Sequence, residues 1–466
     1  METIDKNRKW LDFSLLSVIF TLAWPTMIEQ VMQTAVQYID TAMVGRLGIA
    51  ATAAVGSTST INWLVGSTIS ALGIGFLAFI SQAIGAGLED KAIRAAGQAV
   101  GVVLVVGTIF TVVTLSLSGA VPRWMQADEQ IRETASRYFF ILYLPMLPRT
   151  ASIIFGTCLR AAGDTKTPMK VSVMMNGLNV VLNFLLIYRP RTVQILGLPV
   201  RIWGAGWGVT GAAIASAAAF TVGGILIAVR FWNHPLLSPK KARLTPDMEI
   251  LRPCFQVAFP NMLQRFCTSL GYVVFAAMIN SSGGLSTAAH TIANTVESAF
   301  YIPGFGMQAA AATLTGNAVG ARDRERMHRM ERMIVLSEVA MMMVTGSLLF
   351  AFAPAIVALF TSDGEVIRLG GTVLRMVALS EPFYGISIVT EGILQGAGQT
   401  RMPFVFNLIC MWGVRILGTF ICIRFFGLGL IAAWACMIAD NMLLLLLFRL
   451  YYRFGSWNRM VFDAWE

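Results

Sequence analysis

Residues 159–168 read LRAAGDTKTP, and residues 394–403 read LQGAGQTRMP. Gly163, Thr165, Lys166 and Pro168 of the first stretch match Gly398, Thr400, Arg401 and Pro403 of the second, 235 positions further on. Three other landmarks keep the same displacement. Ala23-Trp24-Pro25 returns as Ala258-Phe259-Pro260, Thr52-Ala53-Ala54 as Thr287-Ala288-Ala289, and Ala83-Ile84-Gly85-Ala86 as Ala318-Val319-Gly320-Ala321. Four separated matches at one offset are not produced by a general bias toward Ala and Gly, so the chain is read as an internal duplication.

What is duplicated follows from composition. Of 466 residues, 56% are hydrophobic and 13% charged, with a mean hydropathy of +0.68; soluble domains carry about 25% charged residues. A membrane-spanning helix takes about 20 residues, and the apolar runs between Gly, Pro and charge breaks place spans near 13–45, 52–83, 95–119, 134–161, 167–188, 204–231, 248–279, 286–319, 332–359, 369–396, 402–424 and 428–452. The expected fold is an all-α integral membrane protein with twelve transmembrane helices in two six-helix repeats. Six spans return the chain to its starting side, so the repeats have parallel topology and are related by an axis along the membrane normal. The polar, proline-bearing stretch HPLLSPKKARLTP marks the boundary: an N-terminal lobe at 1–232, a linker at 233–247 and a C-terminal lobe at 248–466.

The net charge of +10 points away from nucleic acid, because the basic residues sit in loops. Lys6, Arg8 and Lys9 precede the first span; Lys240, Lys241 and Arg243 fill the linker; Arg322, Arg324, Arg326, Arg329 and Arg332 follow the eighth span; Arg449 and Arg453 follow the last. This is a positive-inside pattern with both termini cytoplasmic, against which Arg189, Arg191 and Arg201 dissent. The apolar stretch from Leu11 runs past Met43 without a cleavage motif, so it reads as a retained first helix and not a signal peptide. Six cysteines in apolar stretches lack metal spacing. Three scattered histidines, with no HExxH or GxSxG, argue against a membrane-embedded enzyme.

A charge inside a span is costly and marks a functional suspect. On the first span Gln30, Gln33, Gln37 and Asp40 share one helical stripe. On the fifth, Asn176, Asn179 and Asn183 share another. A carboxylate among amide oxygens can hold Na⁺ when ionised or take a proton, so the coupling ion is H⁺ or Na⁺, with no other cofactor expected. The displacement of 235 carries Asp40, Asn176, Asn179 and Asn183 onto Phe275, Met411, Val414 and Gly418, which confines this device to the first half. Glu29, Glu297, Glu381 and Glu391 are further intramembrane acids, each able to meet a cationic ligand or to pair with Arg149, Arg265, Arg375 or Arg415, with pairing favoured, and Asp440 is expected to pair or to snorkel. Pro25 and Pro260 are candidate bends in the first and seventh spans.

The run PTMIEQVMQTAVQYIDTAMVGRLG at 25–48, NGLNVVLNFLLIY at 176–188 and the paired LRAAGDTKTP and LQGAGQTRMP resemble the multidrug and toxic compound extrusion (MATE) family along essentially the whole chain. The resemblance implies an antiporter that exports organic, mostly cationic compounds against inward Na⁺ or H⁺, through a coupling carboxylate that corresponds to Asp40. By the same resemblance Asn179 and Ser216 match coupling residues on the fifth and sixth helices, and Asn183 stands where an Asp is found in several members. One acid fewer tilts the reading toward H⁺, with Asp40 and Asn179 as candidate Na⁺ ligands and Gln33, Gln37 and Asn176 as candidate cavity-lining residues. Acids that some members carry on the seventh and tenth helices are replaced here by Thr268 and Tyr384. The expected setting is a monomer in the inner, or plasma, membrane. The competing reading is a flippase for lipid-linked saccharides, which requires several cations among Arg149, Arg160, Arg265 and Arg415 to reach a central cavity.

Overall fold

The computed structural model describes residues 13–455 apart from 126, 196 and 197; Lys6, Arg8, Lys9 and both chain ends lie outside them. In chain order the spans are α1 (Phe13–Gly45), α2 (Ile49–Gly85), α3 (Glu89–Leu117), α4 (Glu129–Tyr143 and Met146–Ala161), α5 (Lys166–Leu186), α6 (Gly208–Trp232), α7 (Met248–Asn280), α8 (Gly284–Phe300 and Ile302–Gly320), α9 (Arg324–Ala358), α10 (Gly364–Gly396), α11 (Arg401–Arg424) and α12 (Leu430–Phe454). Among the described residues ten helices are long and apolar enough to cross a membrane, eleven when the two pieces of α4, bent by 51°, are taken as one span. α8, in two pieces, fills the twelfth position. The protein is an all-α, multi-pass membrane protein, in which helices satisfy the backbone where water is absent.

The interruptions have local causes. Pro145 falls at the bend of α4, and Pro303 opens the second piece of α8; neither can donate the helical hydrogen bond. Pro25 and Pro260 lie inside unbroken helices. In α11 residues Ile409–Ile416 wind as a π-helix. Beyond the helices, Arg191–Ile195 and Leu198–Ile202 form an antiparallel hairpin with Arg191 opposite Ile202; the sequence reading took this stretch as loop.

The duplicated decapeptides form one turn twice. Gly163 N–H donates to Arg160 O at 2.9 Å and Asp164 N–H to Leu159 O at 3.0 Å, while Gly398 N–H donates to Gln395 O at 3.0 Å and Gln399 N–H to Leu394 O at 2.7 Å. These are Schellman closures, and the φ of +83° at Gly163 and +77° at Gly398 is what only glycine adopts freely.

Contacts gather the chain into two compact units, Met1–Met27 with Ser81–Gly87 and Phe266–Glu466, and Ile28–Ile80 with Leu88–Arg265. These cross the repeat boundary: the first part of α1 and the end of α2 join the second half, and the first part of α7 joins the first half. In the former unit Ile19, Ala23, Met307, Leu314, Ile334 and Ile393 share one core. There α2 and α8 cross backbone to backbone. A Cβ on Gly85 would stand 2.0 Å from Asn317 O, and one on Gly320 would stand 1.9 Å from Gln82 O. Gly85 and Gly320 are repeat counterparts, and so are Gln82 and Asn317, so the crossing repeats the symmetry of the sequence. In the other unit the linker is tied to α3: Gln98 Nε2 donates to Thr245 O at 2.8 Å, Asp247 N–H donates to Gln98 Oε1 at 3.0 Å, and Arg94 pairs with Asp247.

Candidate functional site

Asp40 lies near the end of α1, and its carboxylate Oδ1 accepts from Asn183 Nδ2 of α5 at 2.5 Å. The same Asn183 nitrogen donates to Asn179 Oδ1, one turn back, at 3.0 Å, and Asn179 Nδ2 donates to Ser216 Oγ of α6 at 3.0 Å. Four of the residues singled out from sequence thus form one chain of hydrogen bonds across three helices. The i, i+4 spacing of Asn179 and Asn183 stacks their amides on one face of α5, and Ser216 meets them because α6 packs close: a Cβ on Gly211 would stand 2.4 Å from Leu186 O. Tyr188 Oη donates to Met43 O at 2.8 Å, fixing the end of α1 against the segment after α5. Val44, Ile187 and Ala212 form a small apolar cluster joining the ends of these three helices, with Tyr138 packed against it.

Burial separates the members. Asn183, Asn179 and Ser216 are buried, whereas Asp40 is half-buried. Gln33 and Gln37, ahead of Asp40 on its stripe, are exposed. Asn176 is buried and its Nδ2 donates to Ser172 Oγ at 3.4 Å, within α5 and outside the network. One polar atom is left over: Asn183 Oδ1 is buried with no hydrogen-bond partner. Such an atom is rare unless something binds it. It lies on the amide that already holds the carboxylate. Asn179 Oδ1 accepts one bond from Asn183 and keeps its second lone pair.

The remaining intramembrane charges meet the pairing expectation in part. Glu29 pairs with Arg160 at 3.0 Å, and Asp440 with Arg415 at 2.6 Å, where Asn441 accepts a further bond. Arg149 is buried with its guanidinium 4.7 Å from the Phe220 ring and 5.7 Å from that of Tyr143. Glu297 accepts from Tyr301 Oη, and Glu391 accepts from Gln395 Nε2 at 3.0 Å. Neither carboxyl oxygen of Glu381 has a partner. His290 Nδ1 accepts from Trp434 Nε1 at 3.2 Å, a structural role. At the counterparts of the Asp40 network stand the buried Phe275 and Met411, so no mirrored copy exists. Glu338, on α9, is a fully buried acid that the reading of stripes passed over, although a single acid in SEVAMMMV at 337–344 was the signal for it.

The MatE family model matches the chain twice, over residues 25–185 and 260–421. The chain belongs to the MATE family. Its two matches begin at Pro25 and Pro260, the repeat counterparts found in the sequence. Among its relatives are a probable multidrug resistance protein NorM of Thermotoga maritima, 28% identical over 95% of this chain and 93% of the relative, and a probable multidrug resistance protein YoeA of Bacillus subtilis, 26% identical over 96% and 94%. A MATE protein crystallised in complex with MaL6 superposes with a TM-score of 0.85 over 97% of both chains at 23% identity, and a MOP superfamily transporter from Pyrococcus furiosus with 0.84 over 99% of both at 23%. At that identity the structures show the shared fold. As a MATE protein the chain is a transporter and not an enzyme.

Proposed function

We propose that this MATE protein is a secondary antiporter of the plasma membrane, or inner membrane, exporting small organic cations in exchange for protons, with both termini cytoplasmic. The relatives named for multidrug resistance support drug-like organic substrates, and the lone carboxylate and the family resemblance support a cationic one. The observation that carries the coupling is the Asp40–Asn183–Asn179–Ser216 chain: one half-buried carboxylate held by an amide whose own oxygen has no partner. A lone carboxylate among neutral amides brings one negative charge, enough to bind a proton and little for a Na⁺ cage, which favours more oxygen ligands. Asp40 takes the proton; Asn183, Asn179 and Ser216 orient it and respond to its charge. Organic cation and proton then bias opposite states, each by its differential affinity for the two. The flippase reading gains nothing, since Arg160 and Arg415 are paired and Arg149 is covered by aromatic rings.

The test is efflux of a fluorescent organic cation from proteoliposomes, with a pH gradient and a Na⁺ gradient imposed separately. The pH gradient alone should drive efflux. Transport driven only by Na⁺ would replace the proton, and transport driven by neither would remove antiport.

A further inference from the structure

Glu297 of α8, Glu338 of α9 and Glu381 of α10 are 4%, 0% and 1% exposed. Glu297 accepts from Tyr301 Oη, but no oxygen of Glu338 or Glu381 has a hydrogen-bond partner. The Glu338 carboxyl lies where two neighbouring helices have dispensed with a side chain. Its Oε1 would stand 2.9 Å from a Cβ on Gly304 of α8 and 2.9 Å from one on Gly385 of α10, beside the Met342 side chain. Glu381 is within electrostatic reach of both Glu297 and Glu338. Tyr301 of α8 faces Glu297 and Glu381, and its ring lies 4.8 Å from that of Tyr384 of α10. Arg415 of α11 is within electrostatic reach of Glu297, and its guanidinium already serves Asp440 and Asn441 of α12.

An ionised carboxylate without donor or counter-ion is among the least tolerable groups in a low-dielectric interior, and neighbouring carboxylates repel one another as well. Neutralisation must come from a metal ion or from protons. Among the described residues no three His, Cys, Asp or Glu side chains converge tightly enough to hold a metal, and glycine and methionine walls add no oxygen ligands. Thr268 and Tyr384, where the family resemblance places second-half acids, supply no carboxylate either. We infer that Glu338 and Glu381 carry exchangeable protons, forming with Glu297 a proton-binding cluster in the second half that is separate from Asp40. The break in α8 runs through it: Glu297 lies before Tyr301 and Gly304 after it. A change at that break moves one acid relative to the others and so alters how many protons the cluster holds.

This deepens the proton-antiport reading, and its own readout is spectroscopic. Infrared spectra of the full-length protein in lipid vesicles at neutral pH should show protonated carboxylic C=O bands that shift in D₂O. Glu338→Gln and Glu381→Gln should each remove one carboxyl's worth of band, while Asp40→Asn leaves both in place. The wild-type D₂O shift needs no variant and so stands even if a variant fails to fold. Bands present but unmoved by D₂O refute exchange, and spectra unchanged by both glutamine variants refute protonation. Loss of the bands in these variants together with normal pumping by Asp40→Asn would sustain the cluster and overturn the Asp40 reading instead.

Discussion

Replacing Asp40 by Asn and by Leu separates its charge from its hydrogen bond. In Asp40→Asn an amide oxygen still accepts from Asn183 Nδ2, so the chain to Asn179 and Ser216 persists and only the charge is lost. A hydrogen bond to a charged group contributes about 1.5–3 kcal/mol and a neutral one about 0.5–1.5, so the expected loss is roughly 1 kcal/mol. The removed cost of holding a half-buried carboxylate offsets part of it. In Asp40→Leu the bond itself disappears while Asn183 Nδ2 keeps Asn179 as acceptor, so the loss is one charge-assisted bond, about 1.5–3 kcal/mol. Unfolding in detergent should rank wild type and Asn close together with Leu below. Gradient-driven efflux of a fluorescent cation should fall to the gradient-independent level in both. Efflux in Asp40→Asn at the wild-type rate would refute the role of the charge, and equal stability of Asn and Leu would refute the hydrogen bond to Asn183.

Asp440→Asn strands a buried guanidinium held at 2.6 Å by its counter-ion and should destabilise by about 3–5 kcal/mol, most of it recovered by Arg415→Met with Asp440→Leu; detergent unfolding of the single and double variants checks this. Gly396→Ala would put a Cβ 2.0 Å from Ala312 O and should cost about 1–3 kcal/mol of overpacking, whereas Gly413→Ala, with open space around it, should be near neutral in the same assay. In the linker, burial pushes the His234 imidazole below its ordinary value, against the opposing pull of Asp164. Its Nδ1 accepts from Leu236 and Leu237 N–H at 3.3 and 3.2 Å, which requires that nitrogen to be unprotonated. The unfolded segment therefore binds the proton more readily, and the local structure weakens as pH falls through about 6.5; amide exchange at Leu236 and Leu237 should accelerate on acidification and stay flat in His234→Asn.

The parts legible in the sequence are those with a local physical signature. Hydropathy against Gly and Pro breaks placed the first span at 13–45, where α1 runs Phe13–Gly45, and the offset of 235 found the repeat that the family model matches twice. Asp40, Asn179 and Asn183 were legible because a charge and stacked amides are too costly on apolar helices to stand there without partners, while Ser216 was reached only through the family resemblance; hydrogen bonds join all four. The split of α8 at Tyr301 had its sign in Pro303, but a single proline does not distinguish a tolerated kink from a break, as the unbroken α1 at Pro25 shows. Which acids find arginines was not legible, since Glu29 and Arg160 are 131 positions apart and meet only through tertiary packing. The exchange of α1, α2 and α7 segments between the compact units has the same origin. Glu338 was missed because it belongs to no stripe; its importance lies in what neighbouring helices withhold from it.

The most direct measurement adds a transported organic cation to purified protein in weakly buffered detergent and records proton release. Wild type should release protons when the cation binds, and Asp40→Asn, equally well folded, should release measurably fewer. Equal release from the two proteins would contradict the assignment of proton exchange to Asp40.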